Sequence, residues 1–137
     1  IVGKTMQVDV VSPEKLLFSS EAVSVEIPGS DGDMTAMANH APLITTLRPG
    51  ILRVVQEKGT SEYVVTGGFA ELGATVSVLA EKAVLKADFD REMFDELVTA
   101  AQTALDSARA TMVGDAVDMA AKSLSDFNIL GENLGFR

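Results

Sequence analysis

Few side chains in this sequence could do chemistry, and most of them fall between Glu26 and Gly50. His40 is the only histidine, and Ser30, Asp31 and Asp33 stand in a glycine-punctuated acidic turn upstream of it. A histidine beside a carboxylate can act as an acid–base pair, so His40 with Asp33 is the pair on offer. Nothing completes it: there is no cysteine, and no serine sits in a G-x-S-x-G setting. A lone histidine beside a proline in a turn reads as a structural hydrogen-bonder. Asp31-Gly32-Asp33 opens like a calcium loop, but the later oxygen ligands and the closing glutamate do not follow. An acidic turn between strands is the plainer reading, and no metal site is expected. Gly67-Gly68-Phe69-Ala70-Glu71 lacks the spacing and the lysine of a phosphate loop and reads as a kink or bulge. The chain does not read as an enzyme, and no cofactor is expected.

The elements around these residues follow from two rhythms. Up to about Leu85 the period is two: Met6, Val8 and Val10, then Val23, Val25 and Ile27, then Val76, Val78 and Ala80 alternate with mostly polar neighbours. Such alternation buries one face of an antiparallel sheet and wets the other. Turn signals recur at Ser12-Pro13, Pro28-Gly29, Asp31-Gly32-Asp33, Pro49-Gly50, Lys58-Gly59, Gly67-Gly68 and Gly73, so short strands pack as a sandwich or flattened barrel.

After Leu85 the period becomes helical. Asp88, Asp90 and Glu92 favour a helix N-terminus, and Phe94, Leu97, Ala101, Leu105, Ala108 and Met112 form one stripe over about six turns. Gly114-Asp115 interrupts it, with Asp115 as the expected N-cap of a second, shorter stripe through Ala116, Ala120, Leu124 and Phe127. The two helices make an antiparallel hairpin whose alanine-rich seam buries little area. Residues 131–137 show no period and are expected to fray. The expected organisation is therefore a β-sandwich over 1–86 and a helix-turn-helix over 87–137.

Composition narrows the partners. The 137 residues are 47% apolar, enough for a core, with 11 basic against 20 acidic side chains. Residues 87–137 alone carry 4 basic and 10 acidic groups. A net charge of −9 without any basic run argues against nucleic acid and against anionic lipid. No apolar run approaches the roughly 20 residues that span a bilayer, so no membrane insertion is expected. The chain opens Ile1-Val2-Gly3 without an initiator Met and without a signal-peptide pattern, which leads us to expect a cytoplasmic protein lacking a few leading residues.

An ordered set of segments adds a resemblance. Val8-Asp-Val-Val-Ser-Pro-Glu14, Val23-Ser-Val-Glu-Ile-Pro-Gly-Ser-Asp-Gly-Asp33, Asn39-His-Ala-Pro-Leu43, Leu47-Arg-Pro-Gly50, Val65-Thr-Gly-Gly-Phe-Ala-Glu71 and Val76-Ser-Val-Leu-Ala-Glu81 precede the helical hairpin. Together they resemble the epsilon subunit of bacterial F-type ATP synthases, the counterpart of the mitochondrial delta subunit. The resemblance covers nearly the whole chain. It implies a ten-stranded N-terminal β-sandwich with a C-terminal two-helix hairpin, working in the rotor's central stalk. The implied partners are the gamma subunit and the polar loops of the c-ring, with alpha and beta subunits reached through the helices. Ser30, Asp31, Gly32 and Asp33, with His40, Ala41 and Pro42, match the family's ring-contacting loops. The implied location is the cytoplasmic face of the bacterial inner membrane, peripheral, as part of the synthase. A free-standing β-sandwich adaptor is the alternative reading.

The sequence also departs from that pattern. Thr35 stands where the family usually has Gly, and Ala38-Asn39 where it has Pro-Gly; Asn tolerates the positive φ such a turn needs. Many relatives carry a Leu/Ile-Asp-x-x-Arg-Ala motif, implicated in binding ATP, at the first helix start. Here the in-register residues Phe89-Asp90-Arg91-Glu92-Met93-Phe94 keep only the Asp, while Leu105-Asp106-Ser-Ala-Arg109-Ala110 matches literally further along. Asp90, Asp106 and Arg109 are thus weak nucleotide candidates, the second match reading as fortuitous. Inhibitory relatives set basic residues of the second helix against an acidic segment of beta; this one offers Lys122 alone. The expectation is coupling with little inhibition of ATP hydrolysis.

Overall fold

The computed structural model describes residues 4–136 and shows two compact units, one ending at Asp88 and the other starting at Phe89. The first holds ten strands: β1 (Met6–Val11), β2 (Leu16–Ala22), β3 (Ser24–Gly29), β4 (Gly32–Met37), β5 (Leu43–Thr46), β6 (Gly50–Gln56), β7 (Gly59–Val65), β8 (Gly68–Leu72), β9 (Val76–Ala80) and β10 (Ala83–Leu85). They form two five-stranded sheets, in the orders β2-β1-β9-β8-β5 and β10-β7-β6-β3-β4. Every pairing is antiparallel except β1 with β9.

The alternation read from the sequence decides what lies between the sheets. Val8, Val10, Val76 and Val78 face inward from one sheet, and Val25, Ile27, Leu52 and Val54 from the other, all fully buried. Each such side chain contributes about 1.5 to 3 kcal/mol relative to exposure, so these two rows hold the sandwich shut. Among the described residues no side-chain polar atom is buried without a hydrogen bond.

Three turn expectations shift by a residue or two. Pro28 and Gly29 do not end the strand as a turn; they belong to β3, where Pro28 opposes Asp33 and Gly29 opposes Gly32. The tight turn is therefore Ser30-Asp31, and Gly32, at φ 139°, is the residue that needs glycine's freedom. Pro49 precedes β6, which begins at Gly50. At Gly67-Gly68 the chain kinks at the entry to β8, whereas the register shift falls between Val10 and Val11.

The second unit is α1 (Arg91–Thr111) followed by α2 (Gly114–Leu134), equal in length, so the second helix is not the shorter one expected. Asp90 caps α1, its carboxylate accepting the Met93 N–H at 2.8 Å. Asp115 is not the cap of α2: that position belongs to Val113, which has no side chain able to accept a hydrogen bond. Asp115 sits in the first turn, where its charge still suits the helix dipole. The buried stripes run through Phe94, Ala101 and Leu105 on α1 and Phe127, Leu130 and Gly131 on α2.

The tail expected to fray is ordered up to Phe136, with Arg137 outside the described residues. Gly135 at φ 80° ends α2 by donating to Glu132 O, and Phe136 N donates to Gly131 O at 2.8 Å. This glycine-centred C-cap turns the chain back on the hairpin. The Phe136 ring then packs 5.4 Å from Phe94 and 6.2 Å from Phe89. The buried part of the seam is therefore not the alanine-rich one expected: phenylalanine and leucine supply most of it, and Phe136 adds to it at the open end of the hairpin.

Candidate interaction surface

The acidic turn is built by its neighbours more than by itself. Ser30 N donates to Thr46 O at 2.9 Å, and the Ser30 and Thr46 hydroxyls share a 2.6 Å hydrogen bond. Arg48 then closes the arrangement: its N–H donates to Pro28 O at 3.0 Å, and its guanidinium reaches both the Gly29 carbonyl and the Asp33 carboxylate. A planar fork with several fixed donors suits this double task. Asp33 is thereby committed to an internal cation, and Asp31 is the carboxylate left at the hairpin tip. Arg48 was legible only as part of a turn, because its partners lie 15 and 19 residues upstream.

His40, Ala41 and Pro42 do not join this cluster. They follow β4, whose six residues carry the chain about 17 Å from the Ser30-Asp31 tip. His40 Nδ1 lies 2.7 Å from Ala41 O; a carbonyl only accepts, so Nδ1 carries the hydrogen. The His40 N–H donates to Met37 O at 3.2 Å, and Asn39 takes φ 64°, as the turn requires. His40 and Asp33 therefore stand at opposite ends of one strand and form no acid–base pair. What unites the two loops is the edge of the sandwich: β4 and β5 are the outermost strands of their sheets on the side to which both loops belong.

The nucleotide candidates do not converge either. The Asp90 carboxylate is spent on the cap of α1. Asp106 accepts from Gln102 Nε2 at 3.0 Å, and Arg109 lies nineteen residues, about 28 Å of helix, beyond Asp90. No group of three or more acidic or imidazole side chains among the described residues could hold a metal ion.

One surface escaped the sequence altogether. On the outer face of β2-β1-β9-β8-β5, the registers Leu16–Val11, Val11–Leu79, Leu79–Phe69 and Phe69–Thr46 line up a single row across all five strands. Leu79 and Phe69 are exposed, Leu16 is 59% exposed, and Ile44, diagonal to Phe69, is 68% exposed. The apolar part of the row spans four strands and ends on Thr46 of β5, while the adjacent row is polar through Ser19, Asp9, Ser77 and Glu71 and ends on Ile44. A continuous apolar row with a carboxylate border is the composition of a protein-binding face. Its members are scattered from residue 11 to 79, so only pairing registers reveal it.

With this sandwich and hairpin in view, comparison with known proteins defines the class. The sequence model of the ATP synthase delta/epsilon chain β-sandwich domain matches residues 5–86. The ATP synthase epsilon chain of Fuscovulum blasticum is 53% identical over 136 residues, covering 98% of this chain and all of that one. That of Rhodobacter capsulatus is 47% identical over 97% of this chain and 98% of its own. The chain belongs to the ATP synthase delta/epsilon chain family, and within it to the epsilon chains. The fold agrees with a chain of the Euglena gracilis mitochondrial ATP synthase solved with its c-ring (TM-score 0.71, 23% identity, 95% of this chain and 81% of that one). A Tetrahymena thermophila mitochondrial central stalk/c-ring structure gives a TM-score of 0.53 at 15% identity, covering 89% of this chain and 98% of that one. As an epsilon chain it is a subunit of an ATP synthase. Among the described residues no helix is long and apolar enough to cross a membrane.

Proposed function

We propose that this chain is a non-catalytic link in the rotor of a proton-translocating ATP synthase, coupling the gamma subunit to the c-ring during ATP synthesis. The observation that carries the reading is the clamped acidic turn. A hairpin tip fixed by Arg48 and Thr46 presents Asp31 on a stiff support, which suits a contact that must carry torque without yielding. The ring's polar loops are the partner on this side, with Ser30 to Asp33 at one end of β4 and His40 to Pro42 at the other. The apolar row of Leu16, Val11, Leu79 and Phe69 is the face for gamma, since a permanent stalk contact calls for apolar area. The whole works from the cytoplasmic face of the bacterial inner membrane, attached through protein partners.

The helical unit keeps at most a weak inhibitory role. Its net charge of −5, 4 basic against 9 acidic groups over residues 89–137, repels the acidic segment that inhibitory relatives grip, and Lys122, its one cation on α2, is paired with Asp126 at 3.0 Å. Removing residues 89–137 from the assembled synthase is expected to leave ATP hydrolysis unchanged; a several-fold rise would refute this part. For the coupling role, Asp31→Lys is expected to leave assembly intact while lowering proton-driven ATP synthesis. Full coupling in that variant would remove the turn from the proposed contact.

A further inference from the structure

We propose that the tip of the helical hairpin, Met112-Val113, is a docking knob for an apolar socket rimmed by Lys and Arg on a neighbouring protein subunit. Two adjacent residues here break the local rules of helix termination. Met112 takes the left-handed conformation at φ 58°, where glycine is favoured, and Val113 caps α2 without a side chain able to accept a hydrogen bond. The hairpin gains no burial in return: Met112 is 88% and Val113 53% exposed. The same chain places Gly135 at the C-cap of α2 and Asp90 at the N-cap of α1, so the standard solutions are used at the other helix ends. Local departures without local compensation mark positions kept for something outside the unit. Methionine is suited to that use, being flexible, polarizable and adaptable to a socket.

The charges around the tip select the occupant. Asp106, Asp115 and Asp118 are exposed beside it, against Arg109 alone. An apolar knob inside an acidic border is complementary to an apolar socket with a basic rim and repels an acidic one. The inference rests on the chain working inside an assembled synthase, and its test separates the two. A photo-reactive diazirine side chain at position 119, whose native methionine is 75% exposed on the first turns of α2, reports what lies beside the tip in the intact complex. The expected cross-link is to a peptide of another subunit in which apolar residues flank Lys or Arg, with a yield that falls in high salt. Met112→Gly with Val113→Ser restores both preferred caps, so it is expected to raise the melting temperature while cutting that yield at least about fivefold. Failure of the double variant to co-purify with the complex would point instead to a role in assembly and overturn the proposal. It is equally overturned by cross-links to an acidic peptide or none, or by a yield the double variant leaves unchanged.

Discussion

Arg48 is the residue whose loss reports most directly on how the acidic turn is held. Truncation to alanine removes an ion pair to Asp33 and a charged donor from the Gly29 carbonyl. The two are unequal. Asp33 is 79% exposed at its side chain, so the pair is a surface one worth about 0.2 to 1 kcal/mol. Gly29 is buried, and a buried carbonyl stripped of a charged donor costs about 1 to 3 kcal/mol. Arg48→Ala is therefore expected to cost about 2 to 3 kcal/mol and Asp33→Asn under about 1 kcal/mol. For a domain of this size the first is a fall of about 10 to 20 °C in melting temperature. Urea unfolding of the two single variants and the double variant gives the coupling directly, which should stay below about 1 kcal/mol. An Asp33→Asn cost equal to that of Arg48→Ala would refute the assignment, because the ion pair would then be the main clamp.

Other substitutions separate strain, burial and packing. At Gly68 an added Cβ would meet Leu79 O at 2.0 Å, so Gly68→Ala is expected to cost more than about 4 kcal/mol, while Gly32→Ala meets nothing within 4 Å and costs only about 1 to 2 kcal/mol of backbone strain; denaturant midpoints check both. Burial raises the Tyr63 hydroxyl above its ordinary value of 10.0, against a smaller opposing effect of Ser61. A raised folded value means stability that is complete below pH 10 and lost as pH climbs toward the folded value, so Tyr63→Phe should flatten the alkaline unfolding profile. Phe136→Ala should lower the stability of the helical unit by about 1 to 3 kcal/mol, seen as earlier loss of helical circular dichroism, with Phe136→Leu losing less.

Period-two and period-3.6 patterns made the architecture readable, because burial forces them. Val8 with Val10, Val25 with Ile27 and Val76 with Val78 had to face inward from their strands, and Phe94 with Leu105 had to share a helix face. Ends of elements were harder. Val113 in place of Asp115 as the cap, and Pro28-Gly29 inside β3, depend on register and backbone angles that local residue preferences do not fix. The ordered tail was invisible because Phe136 finds its partners more than forty residues back, at Phe89 and Phe94. The same holds for the candidate surface. The sequence brought out Asp31, Asp33 and His40 as neighbours because they are close along the chain, yet β4 separates the turn from the histidine. Arg48 and the four-strand apolar row went unseen because each is assembled by long-range pairing.

The rotor link is tested most directly at Asp31. The natural chain has no cysteine, so Asp31→Cys gives a unique thiol at the hairpin tip. Oxidation of the assembled synthase, carrying single cysteines in the polar loops of the ring subunit, should join the two chains in high yield. ATP synthesis should continue, because two parts that turn together lose nothing by being tied. A tip that forms no bond to the ring, or a bond to it that stops synthesis, would contradict a chain that rotates as one body with the ring.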